Sequence, residues 1–406
     1  VGGPDCTQPY SQSVLNISAM SFGALSAHAI LALNKGAKMG NFAHDTGEGG
    51  ISTYHLRHGG DLIWNIGSGY FGCRDEHGNF SPERFAERAT QDHIKMIEIK
   101  LSQGAKPGHG GILPGTKVTA EIALARGVPE GVDCNSPASH SAFRKPVGFK
   151  LCIGHPWEWF AIAKAMLKTG ITPDFIVVDG AEGGTGASPV EFIDHVGTPL
   201  REALRLVHNT LVGIGLREQI RLGASGKIIS AFDMARIMAL GADWCNSARG
   251  FMFAVGCIQA QACHTDKCPT GVATQDPQRQ KALVVDDKSL RVASFHGNTL
   301  KALAELLGAA GLEHPNQLRP HHIARRISNG EVRVLSALFP DLKKGELLRG
   351  HYRQTIFRVG WPMANPDSFE PAYSLSKALS YLNDEAEPDD IIKKQDMADS
   401  AGQALA

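Results

Sequence analysis

Residues 220–250 read IRLGASGKIISAFDMARIMALGADWCNSARG, and this stretch decides the fold class. Short apolar runs at Ile220–Leu222 and Trp244–Asn246 predict two buried strands, and the pattern at Ala231–Leu240 between them predicts a helix. A strand, a helix and a second strand in this order are typical of a parallel α/β architecture. Turns that contain glycine follow both strands, and such turns let the backbone approach a ligand closely.

The same alternation continues on both sides of this stretch. Further strands are predicted at Val14–Ile17, Met96–Ile99, Val147–Leu151 and Phe175–Val178. Further helices are predicted at Ala24–Gly40, Trp157–Thr169, Leu200–Glu218 and Leu290–Ala310. The number of these units in 406 residues favours a closed (β/α)8 TIM barrel over an open sheet. In such a barrel the active site lies in the loops that follow the strands.

We expect the barrel to occupy residues 1–340 and a C-terminal extension to occupy residues 341–406. The extension is less regular in pattern. From Asn383 onward it is acidic and poor in aromatic residues, which is typical of a mobile tail or of an arm that wraps a partner. The sequence thus predicts two domains of unequal size.

One interval within the barrel is too short for the predicted topology. Only twelve residues separate a predicted strand end at Cys134 from the strand that begins at Val147, and they carry no helical pattern. A parallel crossover needs a dozen residues or more, usually with a helix. We therefore expect that residues are missing between Phe143 and Lys145, with a genuine deletion as the alternative.

Composition excludes several classes of protein. Lys and Arg together number 41, as do Asp and Glu, so neither a nucleic-acid surface nor an anionic-membrane surface is expected. Eight cysteines in a chain of this length do not form the disulfide framework of a small secreted protein, and a reduced, cytoplasmic setting fits better. No apolar run is long enough to span a bilayer. An anchor upstream of Val1 stays open as an alternative.

Three cysteines, Cys257, Cys263 and Cys268, lie within twelve residues of one another in the loop 256–276, and Pro269 follows the last of them. Iron–sulfur clusters are held by cysteine thiolates, and a Cys-Pro ending recurs in cluster loops. A fourth local ligand is missing, so three thiolates suit a 3Fe–4S cluster, or a 4Fe–4S cluster with one open site. Two alternatives stay open, which are a zinc site completed by His264 and a set of small core residues.

Glycine-rich loops follow three consecutive predicted strands. The loop DGAEGGTGASP at 179–189 follows the first of these strands, and its backbone N–H groups could line a flavin or a phosphate. The turns GASGK at 223–227 and ARG at 248–250 follow the next two. Together they match the phosphate site that TIM barrels form after their seventh and eighth strands, although each taken alone could be an ordinary glycine turn.

Five motifs, in the same order, resemble the synthase domain of glutamate synthases. They are NISAMSFGALS at 16–26, TGEGG at 46–50, IKLSQGAKPGHGGILPG at 99–115, GGTGASP at 183–189, and the cysteine loop with VATQD at 272–276. The resemblance covers roughly residues 10–340. It implies a (β/α)8 barrel that binds FMN and carries a 3Fe–4S cluster on Cys257, Cys263 and Cys268.

The resemblance also implies roles for individual residues. Those implied to contact the flavin ring are Met20, Ser21, Gln103 and Lys150, with Lys150 near N1, where charge tunes the reduced flavin. Those implied to hold the FMN phosphate are Gly184, Thr185, Gly186, Gly226, Ala248 and Arg249. Those implied to surround 2-oxoglutarate are Glu48, Lys100, Lys106 and Arg126, which suit a dicarboxylate. The catalytic group is implied to comprise Glu48 for proton transfer, Lys106 for clamping a carboxylate, and Lys150.

The chain departs from the family pattern in ways that affect the expected reaction. His109 and Ile112 stand where the family usually has Glu and Gln, and Ile112 leaves a ligand oxygen of 2-oxoglutarate without a polar partner. We expect no glutaminase domain ahead of the barrel, and a nucleotide-binding G-x-G-x-x-G fingerprint at a strand–helix turn is absent. We therefore expect ammonia from a separate subunit, or free ammonia or an amine. Electrons are expected from a ferredoxin or a flavoprotein partner.

The prediction is an oxidoreductase that acts on CH–NH2 donors and serves amino-acid metabolism. The resemblance implies that an imino acid, formed from 2-oxoglutarate and ammonia, is reduced by hydride from FMN. One alternative keeps the cofactors and changes the substrate to another amine or amino acid, as in N-methylglutamate synthase. The other is an electron-relay subunit within a larger assembly. The oligomeric state is open, and a homo-oligomer is compatible with the sequence.

Overall fold

The computed structural model describes residues 1–3, 6–104, 117–128, 130–131, 145–183, 188–189, 191–350 and 352–374. Its centre is a closed barrel of eight parallel strands, hydrogen-bonded in chain order. The strands are β1 (Leu15–Ile17), β2 (His44–Asp45), β3 (Leu62–Ile66), β4 (Ile94–Lys100), β5 (Val147–Leu151), β6 (Phe175–Asp179), β7 (Arg221–Ser225) and β8 (Trp244–Ser247). The barrel closes where Leu15 pairs with Cys245 and Ile17 with Ser247. The predicted (β/α)8 barrel is confirmed.

Helices follow the strands along the chain. They are α1 (Ala27–Gly40), α2 (Thr53–Leu56), α3 (Pro82–Ala89), α4 (Ala120–Arg126), α5 (Pro156–Thr169), α6 (Leu200–Gly213), α7 (Ala231–Ala239), α8 (Arg249–Val255), α9 (Pro277–Gln280), α10 (Val285–Ala309), α11 (Leu335–Leu338) and α12 (Thr355–Met363). Serine side chains cap several of them, as Ser26 does by accepting a hydrogen bond from the backbone of Ala29. None of the helices in the described ranges is long and apolar enough to cross a membrane.

The inner face of the barrel changes character along its axis. Side chains alternate between the two faces of a strand, so residues two apart share a face. At the amino-terminal end the inner face carries an apolar cluster made of Ala43, Ile63, Met96, Phe175, Val177 and Trp244. Five of these apolar residues are followed, two positions later in the chain, by a polar residue on the same face. The polar residues are Asp45, Asn65, Glu98, Asp179 and Asn246. The interior is therefore polar at the carboxyl ends of the strands, where TIM-barrel enzymes place their sites.

Contacts divide the chain into two compact units. The first comprises residues 1–152, 173–204 and 221–339, and it contains all eight strands of the barrel. It also contains an antiparallel hairpin, β9 (Ala324–Ser328) with β10 (Glu331–Val334), whose residues are almost all exposed. The second unit comprises residues 153–172 and 205–220 and the chain from Pro340 onward. The predicted domain boundary at residue 340 stays a prediction.

The strand and helix pattern differs from the sequence prediction in several places, among them helix α10, which begins at Val285 and not at Leu290. Strands β2 and β3 were not predicted, because β2 is only two residues long and both carry a polar residue, Asp45 and Asn65, that faces the barrel interior. Helix α6 ends at Gly213 rather than at Glu218. The chain leaves the helix there because Gly215 adopts a φ of 79°, in the left-handed region that glycine tolerates.

Candidate active site

A buried polar layer at the carboxyl ends of the strands forms the floor of the site. The Oε1 atom of Glu98 accepts a hydrogen bond from Asn65 Nδ2 at 2.6 Å and lies 3.7 Å from the ammonium of Lys150. The carboxyl of Asp45 also hydrogen-bonds Glu98. Because β2, β3, β4 and β5 are neighbours in the barrel, their inward side chains meet at this level.

The layer combines two buried carboxyl groups with one buried ammonium. Burial and the adjacent Asp45 carboxylate raise the pKa of Glu98 to about 8. Burial also raises the pKa of Asp45. Burial would lower the pKa of Lys150, but the charges of Glu98, Asp179 and Asp45 outweigh it and raise that pKa. The arrangement therefore favours a charged lysine beside a carboxyl that holds a proton near neutral pH.

Glu48, Lys100 and Gln103 form a second polar group above this layer. The ammonium of Lys100 donates to Glu48 Oε2 at 2.7 Å and to Gln103 Oε1 at 3.0 Å. The side chain of Lys100 is largely buried, whereas that of Glu48 is partly exposed. Three residues predicted for the substrate and flavin sites are thus brought together, with a carboxylate open to the mouth of the barrel.

The loop after β1 packs against the loop after β2. The hydroxyl of Ser21 accepts a hydrogen bond from the backbone N–H of Gly49 at 3.1 Å. Gly47 has a φ of 66°, and a Cβ there would lie 2.5 Å from Ser21 Oγ. Met20 is buried, and its carbonyl oxygen lies 3.3 Å from His55 Nε2. Only glycine at position 47 permits this close contact, which positions Ser21 at the rim.

Arg126 lies beside the same loops at the end of α4. A guanidinium nitrogen donates to the carbonyl of Phe22 at 3.4 Å, and the guanidinium carbon lies 5.1 Å from the centre of the Phe71 ring. Its side chain is buried, and a Cβ at Gly49 would lie 2.9 Å from it. In this structure Arg126 supports the loop after β1, and its predicted contact with 2-oxoglutarate stays a prediction.

The loops after β4, β6, β7 and β8 surround the opposite part of the mouth. A Cβ at Gly104 would lie 1.8 Å from the carbonyl oxygen of Gly180, so the two loops meet backbone to backbone. The backbone N–H of Gly104 donates to Asp179 at 3.0 Å. Gly226, Ala248 and Arg249 follow β7 and β8 as predicted. Four predicted site residues lie outside the described residues, namely Lys106, Gly184, Thr185 and Gly186. His109 and Ile112 lie outside them as well.

Cys257, Cys263 and Cys268 line one open cavity beyond the end of α8. Burial raises the pKa of the Cys268 thiol, but hydrogen bonds from Ala273, Thr270 and neighbouring backbone groups outweigh burial and lower it. Such hydrogen bonds stabilise a thiolate, which is the form that binds iron. In the described ranges no three His, Cys, Asp or Glu side chains are arranged to hold a single metal ion, and His264 is exposed. Three cysteine sulfurs around one cavity, one of them with backbone hydrogen bonds, are a donor set that fits an iron–sulfur cluster.

The cysteine loop has an unusual backbone. Gln259, Gln261 and Asp266 have φ values of 57°, 53° and 62°, in the region that favours glycine. Residues in this region cost conformational energy and tend to concentrate at functional sites. The strain is local to the turns that separate the three cysteines.

Hydrogen bonds join the cysteine loop to the loop after β1. The backbone N–H of Ser26 donates to the carbonyl of Val272 at 2.9 Å. The side-chain amide of Gln275 donates to the carbonyls of Gly23 and Leu25 at 3.1 and 3.0 Å. The cysteine loop is thereby held against the segment that carries Met20 and Ser21.

Sequence reasoning missed four residues of these sites. Glu98 was missed because it lies within a run that predicts an apolar strand, and Asp45 and Asn65 were missed because their strands, β2 and β3, were not predicted. The signal was present at Ile97-Glu98-Ile99, where a charged residue interrupts a buried strand. Lys117, whose ammonium lies under the cysteine loop, gave no signal because it is distant from the loop along the chain.

The residues present fit the two cofactors that the sequence predicts. For FMN, the loops after β1, β2 and β4 form a mouth in which glycines permit close approach, above a buried ammonium that could face an anionic ring. For the cluster, three cysteines share one cavity with backbone donors to Cys268.

Comparison with known proteins gives a consistent result. A family model described as a conserved region in glutamate synthase matches residues 7–146 and 141–313. The two matched ranges overlap at residues 141–146, and the sequence analysis expects missing residues in the same interval, between Phe143 and Lys145. Among curated proteins, the glutamate synthase large subunit-like protein YerD of Bacillus subtilis is 43% identical over 82% of this chain and 67% of its own length.

Other relatives are more distant. An archaeal glutamate synthase (NADPH) of Methanocaldococcus jannaschii is 37% identical. The match covers 75% of this chain and only 60% of that relative. An archaeal-type glutamate synthase (NADPH) of Thermotoga neapolitana is 34% identical, and the match covers 76% of this chain and 61% of that relative. A solved variant of flavocytochrome b2 with pyruvate bound has a TM-score of 0.44 and 12% identity, covering 75% of this chain and 68% of that chain.

Proposed function

The chain belongs to the glutamate synthase family, and on this premise we propose that it is an FMN- and iron–sulfur-dependent oxidoreductase that reduces a 2-imino acid to an amino acid. The imino acid is formed from 2-oxoglutarate and ammonia, and a ferredoxin or flavoprotein partner supplies the electrons. The observation that carries the proposal is the pairing of two sites in one barrel unit, a polar mouth with a buried ammonium and a cavity lined by three cysteines.

When bound, FMN supplies hydride transfer to an imine carbon and the 3Fe–4S cluster supplies one-electron steps. The protein contributes positioning and charge. Lys150 places a positive charge at the floor of the mouth, and Glu98 and Asp45 beneath it keep that charge in place. Cys257, Cys263 and Cys268 would hold the cluster. Gly226, Ala248 and Arg249, with Gly184, Thr185 and Gly186, would hold the FMN phosphate.

Glu48 and Lys100 would act on the substrate. Lys100 holds the Glu48 carboxylate at 2.7 Å, which fixes its orientation while leaving it open to the mouth. A carboxylate in this position can exchange a proton with the substrate nitrogen when the imine becomes an amine. Lys106 and Arg126 would bind the substrate carboxylates, since an ammonium supplies a point charge and a guanidinium a fork.

An anaerobic reoxidation experiment tests this proposal. The purified protein is reduced chemically, 2-oxoglutarate and ammonia are added, and the flavin absorbance is followed. Rapid reoxidation with formation of glutamate supports the proposal. A flavin that stays reduced would contradict it.

A second candidate reaction uses another amine or amino acid with the same cofactors. The observation that favours it is Ile112, which places an apolar side chain where the family usually has Gln. Turnover with methylamine in place of ammonia, in the same reoxidation experiment, would select this candidate.

Glu48→Gln is expected to lower kcat about a hundredfold, since positioned acid–base groups contribute on the order of 10²–10⁴-fold. The amide keeps the shape of the side chain but cannot take up a proton and pass it on, and Lys100 keeps its bond to Gln103. Steady-state kinetics at saturating substrate measure the loss, with FMN content checked by absorbance. Glu83→Gln on the exposed side of α3 is the matched control. A kcat within twofold of the wild-type value would rule out the role of Glu48.

Electrons are expected to enter at the tip of the cysteine loop. Ile258 lines the cysteine cavity and is 65% exposed, so it presents apolar surface at the cavity. One exposed apolar side chain is common on protein surfaces, and its place at this cavity is what makes it a contact for a donor protein in our proposal. An electron-donor protein that contacts this tip would approach the cluster closely.

Ile258→Asp is expected to slow reduction by a protein donor such as reduced ferredoxin by about tenfold, because it places a charge in an apolar contact. Reduction by a small one-electron reductant, reduced methyl viologen, should be unchanged. Stopped-flow measurement of both rates checks this, with Ile171→Asp, at a position 75% exposed, as the control. Equal slowing with both reductants would show damage to the cluster site and not to docking.

A further inference from the structure

Lys117 places a buried ammonium directly beneath the cysteine loop. Its side chain is 3% exposed. The ammonium donates to the carbonyl of Cys263 at 2.9 Å and to the carbonyl of Ala273 at 3.3 Å. The backbone of Ala273 in turn hydrogen-bonds the Cys268 sulfur. One cation is therefore in contact with the backbone on both sides of the cysteine cavity.

Asp266 sets a carboxylate against this ammonium. Its Oδ1 atom lies 4.0 Å from Lys117 Nζ and accepts a hydrogen bond from the backbone of Gln275 at 2.8 Å. The side chain of Asp266 is 28% exposed, so water screens its charge more than that of Lys117. The two charges thus have opposite signs, and the charge of Lys117 is more deeply buried than that of Asp266.

The electrostatic contact extends to the cysteines themselves. The Lys117 ammonium contacts the backbone of Cys263 itself and the carbonyl of Ala273, the residue whose backbone hydrogen-bonds the Cys268 sulfur. A buried positive charge beside these two cysteines stabilises negative charge on them. A cluster bound to these thiolates gains one further negative charge when it is reduced.

We propose that Lys117 and Asp266 set the reduction potential of the iron–sulfur cluster in opposite directions, with Lys117 raising it and Asp266 lowering it. The proposal rests on the proposed function, because it needs a cluster on the three cysteines. The step concerned is the transfer of one electron from a one-electron donor protein to the cluster. The donor is oxidised by one electron, the cluster is reduced by one, and no bond forms or breaks.

The test is an anaerobic potentiometric titration of the holoenzyme, followed by the electron paramagnetic resonance signal of the cluster. Lys117→Met is expected to make cluster reduction about tenfold less favourable, which is about 59 mV more negative for one electron. Asp266→Asn keeps an acceptor oxygen for Gln275 and is expected to make reduction several-fold more favourable. Lys117→Arg keeps the charge and should titrate close to the wild-type protein.

A neighbouring exposed lysine provides the control. Lys267→Met removes a cation one residue away from Asp266 that lies in water, and it should leave the potential nearly unchanged because solvent screens its charge. Iron content is measured for every variant. If Lys117→Met fails to retain iron, Asp266→Asn decides the question, since a merely structural role predicts no positive shift.

Opposite shifts in the Lys117 and Asp266 variants support the inference. Unchanged potentials, or shifts of the same sign, in variants that carry full iron would overturn it while leaving the proposed function intact. A wild-type protein that carries FMN but no iron–sulfur signal after anaerobic reconstitution would overturn both.

Discussion

Cys268→Ser protein is expected to lose its iron–sulfur cluster, and reduction of its flavin by a one-electron donor should fall by about two orders of magnitude or more. Serine keeps the size of the side chain but is a poor ligand for the iron of such clusters, which are held by thiolates. Cys268 is also the most buried of the three cysteines in the cavity, and backbone hydrogen bonds favour its thiolate. Its loss removes the ligand that the loop is best arranged to hold.

The measurement combines iron analysis with stopped-flow reduction of the flavin. FMN content is measured in the same samples, and the reduction rate is given per bound flavin. Cys6→Ser, outside the cysteine loop, is the matched control and should keep the cluster. Full electron transfer from a one-electron donor in the Cys268→Ser protein would contradict the cluster role of this loop.

At pH 8, Lys150→Met is expected to destabilise the folded protein by about 3–5 kcal/mol, because it leaves the ionised, buried carboxyl groups without their cation. Lys150 lies 3.7 Å from Glu98, and both side chains are almost fully buried. Activity should fall as well, since the floor of the mouth loses its positive charge. Denaturant unfolding of the variant and the wild-type protein measures the loss of stability.

A double variant separates these two effects. At pH 8, Lys150→Met combined with Glu98→Gln should recover much of the stability, since the amide carries no charge and still offers an acceptor to Asn65. It should recover none of the activity if Lys150 acts on the flavin. Recovery of both would show that Lys150 serves only to balance Glu98.

The sign of the pH dependence follows from the raised pKa of Glu98. The folded protein keeps the Glu98 proton up to a pH of about 8, whereas the unfolded chain releases it near the ordinary value of a glutamate. Protonation of Glu98 therefore stabilises the folded protein fully at low pH. This stabilisation declines as the pH rises from the ordinary pKa of a glutamate to about 8. Lys150→Met should lose more stability at pH 8 than at pH 5, and the double variant should not.

The fold could be predicted from sequence because its strands and helices follow one another regularly. The run Phe175–Val178 is apolar on both faces, as buried parallel strands are. Strand β2 could not be predicted this way, because two residues, His44 and Asp45, form no pattern. It exists because the barrel supplies hydrogen-bond partners on both sides, from Ile17 and Leu62.

The site could be predicted only where its residues lie in recognisable motifs. Glu48, Lys100 and Gln103 belong to two such motifs, and the structure brings them into hydrogen-bonding contact. Glu98 and Lys117 belong to none that the sequence analysis used. Their importance comes from burial and from partners distant along the chain, such as Lys150 and Cys263, and neither burial nor such contacts can be derived from local spacing.

The hydrogen bonds between the cysteine loop and the loop after β1 have a consequence for assembly. Ser26 and Gln275 tie the two loops together, so ordering either one restricts the other. If uptake of one cofactor tightens uptake of the second, the second must tighten the first by the same factor, because binding free energies are linked reciprocally. Shortage of iron would then weaken flavin retention as well, and the cell would accumulate empty protein rather than a half-loaded form.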